Sequence, residues 1–286
     1  MTGVPMSKTS ITAILTVYNE EQRIEHALKS AAWCDEIVVL DKNSTDRTRE
    51  IAARYTDKIV LFSDREFSTG QTAAWMPHAS GEWVITLTAS DVVHPGLARR
   101  IKELISDEAF PYDVIHIPFR RYVLGLETPR SPWYTALNSH LVFRKSTVRV
   151  DESSVHGAVG FDTLRHYKLP DSQEHCMYHL THSGVDGMME RHAMYCRAEG
   201  RLFLSDKPLS RPFIDVFRAL FVVLFKRRSF MMGWDGVALA MAYLSYWMLR
   251  FVYIWEKRRS KAPEAYAKIR ADIGRAWAEE AAKKDK

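Results

Sequence analysis

Three short apolar runs in the first third of the chain each break into a polar cluster, and segments with helical spacing separate them. Ile11 to Leu15, rich in β-branched residues, runs into Thr16-Val17-Tyr18-Asn19-Glu20. Glu36 to Leu40 runs into Asp41-Lys42-Asn43-Ser44-Thr45-Asp46, and Trp83 to Leu87, opened by Gly81-Glu82, runs into Thr88-Ala89-Ser90-Asp91. Runs this short and this apolar predict buried strands. Between them, Ile24, Ala27, Leu28 and Ala31 fall on one helical face, and Asn19 with Gln22 predicts a capping box at the start of that helix. The Ser44-Thr45-Asp46 cluster predicts the cap of a second helix with Ile51, Ala52 and Tyr55 on its inner face. Lys58 to Phe62 reads as a further strand and Gln71 to His78 as a short helix. Strands alternating with helices at this spacing build a mainly parallel sheet covered on both sides.

In such sheets a ligand lies beyond the carboxyl ends of the strands, where all three polar clusters fall. Helix N-termini facing that edge favour anions. Tyr18 offers a ring face, and Glu20 and Asp41 offer acceptors for ribose or base, so a nucleotide is the expected ligand. A third of the way along, Val114 to Pro118 and His140 to Phe143 read as added strands of a mixed sheet. Asp151 to His192 lacks clear periodicity and reads as loops over the site.

At 286 residues the chain is long enough for one large domain with an appendage, and 47% apolar residues exclude a disordered protein. The net charge of +5 suits anionic partners but, without interleaved basic and aromatic motifs, does not support nucleic acid. Cys34, Cys176 and Cys196 are too few and scattered for a disulfide framework, which favours a reducing compartment. No apolar signal core follows Lys8, so a cytoplasmic location is expected.

Taken together, Ile14-Leu15-Thr16-Val17-Tyr18-Asn19-Glu20-Glu21, Trp33-Cys34-Asp35-Glu36-Ile37-Val38-Val39-Leu40-Asp41, Ser44-Thr45-Asp46-Arg47-Thr48 and Ala79-Ser80-Gly81-Glu82-Trp83-Val84 resemble the family 2 glycosyltransferases. The likeness extends weakly to Gly233-Trp234-Asp235-Gly236 and Trp255-Glu256, and is nearest to the lipopolysaccharide-core β-1,4-glucosyltransferase branch. The resemblance implies an α/β GT-A fold over residues 1–205, a C-terminal helical extension over 206–286, and an inverting transfer of sugar to a hydroxyl. The donor would be a nucleotide-diphosphate sugar, with a UDP-sugar favoured, and the acceptor a glycan or lipid-linked glycan of the cell envelope. It assigns Thr16, Tyr18, Glu20 and Asp41 to the nucleoside pocket, with Gln71 helping to hold the base.

Two departures stand out. Where the branch has Leu-Asp-Ala-Asp-Glu, this chain has Leu87-Thr88-Ala89-Ser90-Asp91, so Asp91 alone among Thr88 and Ser90 is left to ligate Mg or Mn, and metal use stays open. Where the branch has Val-His-Glu, this chain has Val155-His156-Gly157. His156 is then the favoured base for the acceptor hydroxyl, with Glu152 and Asp162 as substitutes. His182 and Arg191, with Arg197, are candidates for balancing the diphosphate charge in place of a metal. A zinc site among His175, Cys176, His179, His182, His192 and Cys196 is the weaker use of that cluster. The rival function is a catalytically impaired relative that binds a nucleotide sugar or a partner enzyme; a nucleotidyltransferase lacks support because no Gly-rich phosphate loop precedes a Lys.

The C-terminal segments change character. Phe213 to Phe225 is nearly all apolar, Val237 to Trp255 is apolar apart from Ser245 and Arg250, and the basic triplets Lys226-Arg227-Arg228 and Lys257-Arg258-Arg259 follow them. Arg250 and the flanking charges argue against a clean membrane span. Peripheral contact with the inner face of the membrane is the first reading, a buried helix pair the second and a true span the least favoured. The tail from Pro263 reads as a solvated helix. Oligomeric state is not legible.

Overall fold

Strand β1 (Ile11–Val17) is buried along its length because sheet neighbours flank it and side chains cover both faces. It pairs in parallel with β2 (Glu36–Asp41) on one side and β4 (Trp83–Thr88) on the other, and β3 (Ile59–Leu61) extends the parallel set beyond β2. Beyond β4, β8 (His140–Arg144) runs antiparallel between β4 and β6 (Val114–Ile117), and β11 (His166–Lys168) closes the sheet in parallel with β6. The order of the seven strands is β11-β6-β8-β4-β1-β2-β3. The computed structural model describes residues 9–62, 75–127, 130–133, 140–149, 160–202 and 208–284.

The two faces of β1 feed two apolar cores. Ile11, Ala13, Leu15 and Val17 pack with Ile24, Leu28 and Ala31 of α1 (Ile24–Ala31) and with Leu97 and Ile101 of a later helix. Ile14 packs on the opposite face with Val38, Val84, Phe143 and Trp75. The period-two alternation of a strand sets this division. Gly81 is required at the start of β4: a Cβ there would lie 2.6 Å from Thr12 Oγ1 and 2.8 Å from the Thr12 nitrogen.

A second sheet has the order β5-β12-β7, built from β5 (Asp91–Val93), β12 (Met177–Thr181) and β7 (Phe119–Val123). A two-stranded ribbon joins β9 (Val148–Arg149) and β10 (Gly160–Phe161). Among the described residues the longer α-helices are α1, α2 (Thr48–Ala52), α3 (Pro95–Ser106), α4 (Val185–Leu202), α5 (Ser210–Phe221), α6 (Trp234–Arg259) and α7 (Ala262–Lys284). Proline at its first turn and His94 Nδ1 accepting from the Gly96 N–H start α3. A mixed, mainly parallel sheet flanked by helices, with helices at the C-terminal end, is the fold class expected from the sequence.

Two local expectations need correction, and a third lies partly outside the described residues. Asn19 does not cap α1, which begins at Ile24 behind Arg23 with no side-chain cap. Asn19 instead adopts a left-handed φ of 51°, and the Glu20 carbonyl accepts the N–H groups of Arg23 and Ile24. The region from Asp151 to His192 is not all loop: β10, β11, β12 and the start of α4 lie in it, their partners being too distant in sequence for periodicity to reveal. Of the short helix expected over 71–78, residues 71–74 lie outside the described residues; Trp75 is helical, and the turn over 76–78 is closed by hydrogen bonds to the Trp75 carbonyl.

The chain divides into one unit of residues 1–191 with 222–240 and another of 192–221 with 241–286. The first holds both sheets. In the second, Arg250 is buried and ion-paired with Glu199 of α4 and Asp215 of α5, and Tyr246 donates to Glu199 Oε1 at 2.8 Å. A charge inside an otherwise apolar helix is thus satisfied by two carboxylates.

Candidate functional site

Because β1, β2 and β4 are adjacent and parallel, their carboxyl ends finish together. Val17 stands opposite Asp41, and Thr16 opposite Thr88. The polar clusters that the sequence spreads over some seventy positions therefore share one edge of the sheet.

The loops after β1 and β2 are stitched to each other. The Asn19 N–H donates to Ser44 Oγ at 3.0 Å, and Asn19 Oδ1 accepts from the Thr45 N–H at 2.8 Å. The N–H groups of Glu20 and Glu21 donate to Thr48 Oγ1 at 2.7 Å and Asp46 Oδ2 at 3.1 Å. Asn19 and Asn43 both take left-handed φ values, which short amide side chains tolerate. Asp41 is fully buried; its Oδ1 accepts from the Ser44 N–H at 3.0 Å and hydroxyl at 2.5 Å, and Arg49 Nε lies 3.3 Å from Oδ2. Ser44 thus fixes the turn that follows β2; contrary to the expected cap, α2 begins behind Arg47 with no side-chain cap there, and Asp46 Oδ1, one residue earlier, accepts the Thr48 N–H at 3.0 Å.

At the tip of β1, Glu20 lies between two guanidinium groups. Arg23 Nε donates to Oε2 at 2.9 Å, and Arg191 from α4 reaches Oε1 at 3.1 Å. Of the residues chosen from sequence, Glu20 and Arg191 are in direct contact. Thr16 and Tyr18 are half-buried beside them along the same strand end.

Beyond β4, Asp91 makes a tight internal turn. Its Oδ2 accepts from the Thr88 N–H at 2.6 Å and hydroxyl at 2.9 Å, and its Oδ1 accepts from His179 Nδ1 at 2.6 Å. The β5-β12-β7 register sets Asp91 opposite His179, and His179 opposite Arg121. The Arg121 guanidinium sits 5.3 Å from the Phe119 ring centre, and Phe119 in turn is 5.1 Å from the His179 ring. Burial pulls the Arg121 pKa down, against the opposing pull of Asp91.

A divalent cation on a diphosphate takes several hard, charged oxygens. Here Thr88 and Ser90 offer hydroxyls, while Asp91 is wholly buried and directs both oxygens into protein hydrogen bonds. This donor set does not fit a divalent metal. Among the described residues no group of three or more His, Cys, Asp or Glu side chains converges as metal ligands, so the histidine–cysteine cluster is not assembled as a zinc site either.

The remaining candidates are dispersed. His182 follows β12 with a left-handed φ of 55°, and its carbonyl accepts the Leu124 N–H at 3.0 Å. Asp162 is exposed just beyond β10, its carboxylate 3.8 Å from Arg149. Gln71, Glu152 and His156 lie outside the described residues. Sequence reasoning passed over Arg23, Arg49 and Arg121 and did not pair His179 with Asp91. Arg23, three residues from Glu20, was within reach of a local charge-pair rule; the Asp91–His179–Arg121 row depends on long-range register and left no local signal.

A family model described as glycosyl transferase family 2 matches residues 12–169. Two curated relatives, the poly(ribitol-phosphate) beta-N-acetylglucosaminyltransferases TarS of Staphylococcus aureus strains Mu50 and MW2, are each 29% identical over 166 residues. Those matches cover 51% of this chain and only 27% of either relative's length. Among solved structures, S. aureus TarS 1-349 is similar at 17% identity and a TM-score of 0.46, covering 86% of this chain and 90% of that one. The mannosyltransferase PcManGT from Pyrobaculum calidifontis, in complex with GDP-Man and Mn2+, is similar at 17% identity and a TM-score of 0.48, covering 89% of each chain.

Proposed function

The chain belongs to glycosyl transferase family 2, and from that premise we propose that it moves a sugar from a nucleotide-diphosphate donor, a UDP-sugar in preference, to a hydroxyl with inversion. The acceptor is a glycan or lipid-linked glycan in cell-envelope polysaccharide or lipopolysaccharide synthesis, and the reaction runs in the cytoplasm at the inner face of the membrane. The observation that carries this reading is the shared edge formed by the tips of β1, β2 and β4, where Thr16 and Asp41 lie at the ends of their strands, Tyr18 and Glu20 follow β1, and Arg191 of α4 reaches Glu20.

In this reading Tyr18 and Thr16 face the nucleoside and Asp41 holds the turn that shapes its pocket. Gln71 assists at the base. Arg191, tethered to Glu20 with Arg23 beside it, brings fixed positive charge to the diphosphate, where charge grows as the sugar bond breaks. Preorganisation by Glu20 lowers the cost of ordering the arginine. His182 adds to the same side of the donor. His156 removes the acceptor hydroxyl proton, with Glu152 or Asp162 as the substitute, since an inverting displacement needs a base at the attacking oxygen.

A panel of nucleotide sugars tests the reading, with binding followed by thermal shift and transfer or hydrolysis followed with and without EDTA. Stabilisation by a nucleoside diphosphate and turnover that survives EDTA are expected. Stabilisation without any turnover would favour the impaired, binding-only relative. No stabilisation by any nucleotide would refute the donor site itself.

A further inference from the structure

Helix α5 is built inside out for a helix in water. Pro212 and Ala219 are buried, and Asp215 on the same side is committed to Arg250. The large apolar side chains face solvent: Phe213, Ile214, Phe217, Leu220 and Phe221 are 39–59% exposed. Their spacing puts all five on one helical face. The cause is the buried ion pair, because turning α5 to bury its phenylalanines would strip Arg250 of Asp215 inside a packed unit.

Within the same unit, α6 has an exposed apolar stripe as well. Met241, Met248, Val252 and Trp255 are 45–65% exposed at near-heptad spacing. The two stripes adjoin where the Phe213 and Phe251 rings lie 5.7 Å apart. Exposed cations accompany this apolar surface: Arg211 and Arg218 on α5, and Lys257 and Arg259 at the end of α6. A contiguous apolar face of this kind marks an interaction surface.

We propose that the outer face of α5, with the adjoining stripe of α6, is a docking surface for an anionic lipid bilayer. Aromatic and aliphatic side chains enter the headgroup boundary while arginine and lysine meet lipid phosphates. The charge pattern selects this occupant over a second copy of the chain, since a two-fold contact would bring like cations together. Arg250, neutralised inside the unit by Glu199 and Asp215, is consistent with α6 lying along the surface and not crossing it. The inference deepens the membrane location proposed above by naming the surface that makes the contact, and does not depend on the transfer reaction itself.

The test is flotation of the full chain with vesicles of phosphatidylcholine alone or mixed with phosphatidylglycerol, for the wild type and a Phe217→Ser, Phe221→Ser double variant. Both substituted side chains already face water, so the variant should keep its fold by circular dichroism and its thermal shift with nucleoside diphosphate. The expected result is binding to the mixed vesicles, weakened several-fold by high salt, and a loss of at least tenfold in partitioning for the variant. A companion Arg211→Glu, Lys257→Glu variant, which leaves the Asp215 ion pairs intact, should lose the preference for anionic vesicles. Absent wild-type binding, or equal binding by the phenylalanine variant, overturns the proposal. So does light scattering that shows a dimer for the wild type and a monomer for the variant. Retained nucleotide binding in any of these outcomes leaves the donor site standing.

Discussion

Replacing Asp91 by Asn separates two roles that a carboxylate at this position can have. In the structure Asp91 is wholly buried and accepts hydrogen bonds from the Thr88 N–H, the Thr88 hydroxyl and His179 Nδ1, at 2.6, 2.9 and 2.6 Å. Asn keeps one acceptor but turns an NH2 toward a donor and removes the negative charge near the desolvated Arg121. A hydrogen bond to a charged group contributes on the order of 1.5–3 kcal/mol, and at least one is lost outright. With the second weakened, a destabilisation of about 2–4 kcal/mol follows. For a chain of this size that corresponds to a melting point lower by about 5–10 °C, measured by calorimetry. Donor binding per molecule still folded should change little. If Asp91→Asn melts like the wild type yet loses activity that added Mn2+ restores, Asp91 is a metal ligand and the internal-anchor account is wrong.

Arg191→Ala should weaken nucleoside diphosphate binding about 10- to 100-fold, the worth of one charge-assisted contact, with little effect on melting because the side chain is a third exposed. Unchanged affinity by calorimetric titration would remove Arg191 from the donor site. Gly81→Ala should cost about 1–3 kcal/mol, since its Cβ would collide with the Thr12 backbone and hydroxyl; urea unfolding measures it. Burial tends to raise the Glu36 pKa, but hydrogen bonds from Lys58, Thr12 and Ser80 outweigh it and bring it to about 2. A folded pKa below the unfolded one gives stability that is complete above the usual carboxylate range and is lost as pH falls toward that value. The stability gap between wild type and Glu36→Gln, about 2–3 kcal/mol near neutrality, should therefore shrink on acidification. Burial pushes the Cys196 thiol up to about 12, so it should resist alkylation at neutral pH until the chain unfolds.

Much of the first ninety residues was legible because their signals are local. The run Ile11 to Leu15 is apolar at every position but Thr12, which only a strand covered on both faces or a buried helix tolerates, and its shortness selects the strand. The inner face of α1 was read residue for residue from its 3.6 spacing, since Ile24, Ala27, Leu28 and Ala31 are all buried. Asn19 misled for a local reason too. Its side chain satisfies the pattern of a cap, but the neighbouring loop offered Ser44 and Thr45 as better partners, and a competing hydrogen bond across strands overrode the helix signal.

The polar tips of β1, β2 and β4, and the expectation that they share an edge, followed from sequence alone, because parallel strands joined by helices must finish on one side. Which of those side chains stay available to a ligand was decided only by tertiary contacts. Glu20 became the tether of Arg191, Asp41 the clasp of its own turn, and Asp91 the partner of His179. The Asp41–Ser44 clasp is local, but the Glu20–Arg191 and Asp91–His179 pairings are not encoded by spacing, since each joins segments distant along the chain. The same holds for α5: its sequence reads as a nearly all-apolar run, which does not say which face turns inward. Buried Arg250 settled that by claiming Asp215, because an unpaired charge in the interior costs more than apolar side chains left in water.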